Sequence, residues 1–133
     1  MNAIEKALYD KLVADTALVA ELAHPTAVYN PIAPPDQSRP YVVFQHSGGG
    51  HLNLTPSPTQ SHVYMVRGVA DAPKAAGIID QRIVDCLHEA ILTVEGWTNY
   101  QTIVESELQS VETPETGMSI YHRGHYVRVG IDQ

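Results

Sequence analysis

Residues 61–94 read SHVYMVRGVADAPKAAGIIDQRIVDCLHEAILTV, an extended run that turns at Asp71-Ala72-Pro73 into the longest helical pattern in the chain. At one hundred degrees per residue, Ala76, Ile79, Ile83, Val84, Cys86, Leu87, Ala90, Ile91 and Val94 share one face, and Gln81, Arg82, Asp85, His88 and Glu89 share the other. The pattern predicts an amphipathic helix from Pro73 to Val94 lying over something apolar. Asp71 is placed to cap its free amides, Pro73 sits in the first turn where a missing N–H costs nothing, and Gly96 ends it. Gly77 costs about 1 kcal/mol relative to alanine inside a helix, which marks a close approach to a strand. Ile78 and Leu92 fall on the otherwise polar face and read as a partner surface.

Upstream of this stretch, Ser61 to Ala70 is a strand that leads directly into the helix. Tyr41 to His46 is an earlier strand, apolar on both faces at its start. Between them, Ser47-Gly48-Gly49-Gly50 and Thr55-Pro56-Ser57-Pro58-Thr59 bracket His51-Leu52-Asn53-Leu54. This predicts a loop of about fourteen residues where a simple hairpin needs two to five. Residues 23–40 hold five prolines and form an irregular arm, with strand character only at Ala27 to Asn30. The chain opens with Asn2 and Glu5 in capping-box spacing ahead of Ile4, Leu8 and Leu12. A short second helix, Ala17 to Leu22, follows a cap at Asp15 or Thr16.

Downstream of Gly96, Tyr100 to Gln109 alternates as a half-exposed strand, residues 113–117 make a turn, and Met118 to Ile131 is the last strand. The expected fold is α+β: a small antiparallel or mixed β-sheet of two hairpins joined by a long helix, with N-terminal helices packed on the sheet, in a single domain spanning residues 1–133.

Eight Lys plus Arg against fifteen Asp plus Glu, a net charge of −7, argues against a protein that grips nucleic acid by its phosphates. The only cysteine, Cys86, lies in the apolar helix stripe, so no disulfide framework can form within the chain and a reducing compartment is expected. No apolar run approaches the roughly 20 residues that cross a bilayer, and no signal segment opens the chain, so no membrane partner is expected.

Seven histidines invite a metal hypothesis. His122 and His125 are three apart on a strand and project to opposite faces, and His88 stands alone on the polar helix face. His46 and His51 flank the glycines and meet only if the loop folds back. No Ser lies in a nucleophile elbow, and Ser47 to Gly50 lacks the Gly-Lys-Ser or Gly-Lys-Thr of a phosphate loop. Glu105 and Glu107, two apart on one strand face, could serve as a carboxylate pair, but nothing apolar surrounds them to raise a pKa, and a solvated face is the expected reading. No catalytic, cofactor-binding or metal residues are assigned and no cofactor is expected. A metal-dependent enzyme or metal-binding protein using His46, His51 and His62 is the second reading, and a cytoplasmic adaptor that forms no ring is the third.

Ile4 to Leu22 (IEKALYDKLVADTALVAEL), Val28-Tyr29-Asn30 with Ile32-Ala33-Pro34, and the strand Pro40-Tyr41-Val42-Val43-Phe44, followed by a strand running into a long helix, resemble the tail completion or tail-terminator proteins of long-tailed bacteriophages. The resemblance implies a structural protein without enzymatic activity. It implies a self-assembled ring, usually a hexamer, that caps the tail tube protein and meets the head-completion or connector protein in head-tail joining. DNA would pass through without specific binding. The protein would act in the virion tail, and in the bacterial cytoplasm during virion assembly. The candidate subunit or partner interface is then Gly48, Gly49, Gly50, His51, Leu52, Asn53 and Leu54 with Ile78 and Leu92. Elemental analysis of the purified protein is expected to find no stoichiometric transition metal, and one equivalent of zinc surviving dialysis would favour the second reading instead.

Overall fold

The computed structural model describes residues 1–53, 58–115 and 117–133. Leu54 lies outside the described residues. The element order is α1 (Asn2–Ala14), α2 (Thr16–Val19), β1 (Val28–Tyr29), β2 (Tyr41–His51), β3 (Gln60–Ala70), α3 (Pro73–Leu87), β4 (Thr98–Glu112) and β5 (Ile120–Asp132). Among the described residues the strands form one sheet in the order β1-β2-β3-β5-β4. β1 runs parallel to β2 and the other neighbours are antiparallel, so the fold is α+β with a mixed sheet. The two hairpins joined by a helix are as expected. The crossover α3 carries the chain past the place of β5 to the far edge, and β5 returns between β3 and β4.

The period-2 strands and period-3.6 helices bury one common face. Ile4, Leu8 and Leu12 of α1, Leu18 of α2, and Ile79, Ile83 and Leu87 of α3 join Val42, Phe44, Tyr64, Val66, Val127, Val129 and Ile131 of the sheet in a single core. Register puts Tyr41, Val43, Met65, Arg67, Val69, His122 and Tyr126 on the opposite face, which no helix covers among the described residues. Val43 and Val69 are nonetheless buried there. The proline arm is ordered by side chains. The Tyr29 hydroxyl donates to Gln37 Oε1 at 2.7 Å, the Tyr29 and Tyr41 rings meet edge to face, and Arg39 pairs with Asp71 at 2.6 Å.

Four local expectations need correction. The main helix ends at Leu87, not Val94. His88 is already extended and Glu89 takes a positive φ of 59°, which lets the Glu89 N–H donate to the Thr102 carbonyl of β4. Beyond it Ile91 is 82% exposed while Leu92 and Val94 are buried, an alternation of period 2 that a short apolar run cannot be told from helix by pattern alone. Leu92 is therefore a core residue at 4% exposure and not part of an outer helix face. Second, Asp71 does not cap α3; Ala72 is the N-cap, without a side-chain bond, and Asp71 is held by Arg39. Third, the start of α1 shows no side-chain cap, and Glu5 meets the Met1 amine and Asn30 instead.

The fourth correction is the largest. Ser47, Gly48, Gly49, Gly50 and His51 are not loop but the second half of β2: Ser47 forms a bulge between His46 and Gly48, and Gly48 to His51 pair with Val63 to Gln60. Gly49, at φ 95°, lies so close to Ser61 that a Cβ would strike its carbonyl oxygen and stand 2.9 Å from the His62 Cα. Gly49 is required by backbone proximity, and Gly48 borders the bulge.

Gly68 and Gly124 carry the same constraint inside the sheet. A Cβ on Gly68 would enter the side chain of Ile79 in α3, and one on Gly124 would meet the Val66 carbonyl and the Arg67 Cα, the latter at 2.5 Å. The neighbours at Gly124 are backbone and cannot step aside. Gly124→Ala is expected to lower stability by about 1–3 kcal/mol, seen as a loss of about 4 °C in Tm per kcal/mol in thermal unfolding.

Candidate functional site

Histidine and glycine crowd the distal half of the β2–β3 hairpin. His46 and His62 face each other there, Nε2 to Nδ1 at 3.1 Å, and His62 Nε2 donates to Gln60 Oε1 at 2.7 Å. Because that leaves the His62 Nδ1 as the acceptor, His46 Nε2 is the donor between the rings. The ring of His46 also meets Tyr64 edge to face. Burial, then the charges of the Met1 amine, His46 and His51, lower the pKa of His62. Burial likewise raises the Tyr64 hydroxyl far above its ordinary range. Glu5 closes the cluster from α1. Burial alone would raise its carboxyl, but the hydrogen bond from Asn30 and the Met1 amine bring it below the usual value.

This arrangement can pass a proton between rings, but among the described residues no group of three or more His, Cys, Asp or Glu is placed to hold a metal. His51 pairs with Gln60 at the end of β2 and is exposed. The other histidines are structural. His122 lies on the uncovered face, where Arg67 Nε donates to its Nδ1 at 3.1 Å and its Nε2 meets Glu112. His125 lies on the helix face and its Nδ1 meets Asp80 of α3 at 2.8 Å. The opposite projection expected of this pair is what the register produces. His88 accepts from the Val104 N–H at 3.2 Å as the chain leaves α3.

Glu105 and Glu107 do not form a carboxylate pair. A bulge between Val104 and Glu107 rotates them apart, so that Glu105 pairs with Arg128 at 3.0 Å while Glu107 lies opposite His125. Cys86 is buried, and its thiol is pushed up to about 12, chiefly by burial. It is a small core hydrophobe. Two grooves flank α1. One of about 470 Å³ runs between Ala3, Ala7 and Ala14 and the segment holding Ile91 and Leu92, and one of about 460 Å³ runs between Tyr9 and the proline arm.

Of the candidate interface residues, Gly48 to His51 form the outer end of β2, and Leu52 and Asn53 follow it, exposed. Ile78 is partly exposed in the first half of α3, a helix that starts from the other end of β3, so the fold does not bring it to the glycines. Gln60, Tyr64 and Arg67, which organise both histidine clusters, carried no sequence signal, because their role depends on cross-strand register.

No protein-family model matches the chain, and no curated protein matches it. Solved structures do. A chain of the virion of a native gene transfer agent particle is similar over 99% of this chain and 96% of that one, with a TM-score of 0.81 and 19% identity. The two share a fold. A second solved structure, with no function in its name, is similar over 98% of this chain and 90% of that one, with a TM-score of 0.50 and 17% identity.

The lowered pKa of His62 fixes the sign of one pH effect. Above the unfolded value of 6.5 neither state carries its proton; below it the unfolded chain binds the proton first, so stability falls as pH drops from 6.5 towards the lowered folded value. Urea midpoints measured across this window are expected to slope downward with acid in the parent and less so in His62→Gln.

Proposed function

We propose that this chain is a structural subunit of a phage-like particle, and that it forms a ring which ends the tail tube and joins tail to head. The observation that supports this most is the fold, shared along almost the full length of both chains with a subunit of a gene transfer agent virion. The order of N-terminal helices, proline arm, Pro-Tyr-Val-Val-Phe strand and strand-to-helix crossover agrees with the tail-terminator resemblance. Its partners are then further copies of itself, the tail tube protein and the head-completion protein, in the virion tail and in the bacterial cytoplasm during assembly.

Charge fits such a role. Six copies carry roughly −42 charges, so a ring through which DNA slides repels phosphates instead of holding them. The histidine pair supplies no third ligand and no adjacent nucleophile among the described residues, so no observation favours the metal-enzyme reading.

Light scattering after size exclusion, across protein and salt concentrations and with tail tubes present, tests the proposal. Six copies of the 14.6 kDa chain weigh about 88 kDa. Assembly is expected to strengthen as salt screens the self-repulsion, and the protein is expected to bind tube ends. A chain that stays monomeric under every condition and never caps tubes sinks the proposal.

A further inference from the structure

Two runs of strand backbone are left without an outer neighbour. β1 pairs only with Val42 and Val43, so positions 44–51 of β2 have no outer partner among the described residues. At the far edge of the sheet, His88 and Glu89 hold the outer side of β4 at Thr102 and Val104 and go no further. Positions 105–112 of β4 are likewise unpaired on the outer side among the described residues. Unpaired strand edges are templates for another strand, and proteins that avoid this place lysine or proline on them. Neither run holds either residue.

The two edges differ in a way that selects their partner. Positions 105–112 read ESELQSVE, three glutamates and no base, while positions 44–51 read FQHSGGGH, two histidines and no acid. Pairing β4 with β4 would set glutamates against glutamates, which is unfavourable across a ladder. Pairing β4 with β2 removes that conflict. Gly48 adds a separate observation. Its φ is ordinary, and a Cβ there would meet nothing within 4 Å among the described residues, so the strand has open space beside it at this place. A strand glycine beside open space lets another backbone approach closely.

We propose that positions 44–51 of β2 pair with positions 105–112 of β4 from a second copy of this chain, so that neighbouring subunits join head to tail into one continuous sheet. The two edges lie towards opposite ends of the sheet, so each subunit that adds by one keeps the other free, the condition for a closing ring. The inference rests on the ring reading, since it names the surfaces through which that ring is made.

Cysteine pairing tests it directly. One variant carries Ser47→Cys, and three others carry Leu108→Cys, Gln109→Cys or Ser110→Cys to span neighbouring registers; the native Cys86 is buried and stays silent. Mixed and treated with a short bis-maleimide, Ser47→Cys is expected to link to at least one β4 variant, and neither kind to link to itself. Val111→Lys and Gly48→Val are expected to keep the parent melting curve and to raise the concentration needed for assembly about tenfold or more. Rings without mixed cross-links that are indifferent to both substitutions overturn this inference and leave the ring reading standing. Links between like variants, or links to tube protein only, overturn the head-to-tail pairing. A parent monomeric under every condition overturns both readings. Cross-linked rings that fail to cap tubes support the pairing while the terminator role falls.

Discussion

The contact of α3 with β3 is the constraint on which the remainder depends. Ile79 occupies the space above Gly68, where any side chain would collide with it, and Ile83 and Leu87 continue the same stripe over the sheet. Each such fully buried aliphatic contributes about 1.5–3 kcal/mol of transfer free energy. An exposed ion pair such as Lys6 with Asp10 is screened by solvent and contributes far less. The apolar stripe therefore sets where α3 lies, and the polar contacts adjust to it. With α3 seated, the chain emerges beyond β5, which is why β4 becomes an edge strand and β5 an interior one.

All three helices fall on one face, so the sheet is asymmetric. The other face is held by a mixture: Val43 and Val69 buried, Arg67 reaching His122 and the Met65 sulfur, and Arg128 tying Glu105 to Ser61. A face of this kind is neither a sealed core nor an ordinary solvated surface. It ties the strands to one another without a covering layer among the described residues. The same polar ties explain why most of the histidines have partners yet no site forms. His46, His122 and His125 each meet a different group at a different level of the sheet.

The two bulges give the edges their character. At His46/Gly48 the extra residue lets the small residues Ser47 to Gly50 continue the strand, and at Val104/Glu107 it turns neighbouring glutamates to opposite faces. Bulges add local twist and break the regular ladder. In β4 the bulge marks the boundary between a part of the strand covered by its own chain and a part that is not; in β2 it lies within the uncovered part.

By itself the sequence determined the elements whose signal is local and repeated. The 3.6-residue stripe from Ala76 to Leu87, the alternation of the last two strands, the proline arm and the acidic balance each follow from residues close together in the chain, and so do the α+β class and the opposite projection of His122 and His125. Only the tertiary structure decided the remainder. The apolar run at residues 90–94 fits helix or strand, and pairing of Glu89 with Thr102 settled it by drawing the chain out of the helix, which buried Leu92. Ser47 to Gly50 has the composition of a loop, yet a neighbouring strand supplies the hydrogen bonds that make it β-structure, and the closeness of Ser61 is what requires Gly49. Glu105 and Glu107 are separated by a bulge that exists only in the β4–β5 pairing. In each case the deciding partner lies ten or more residues away, and register across a ladder is an interaction that no local pattern encodes.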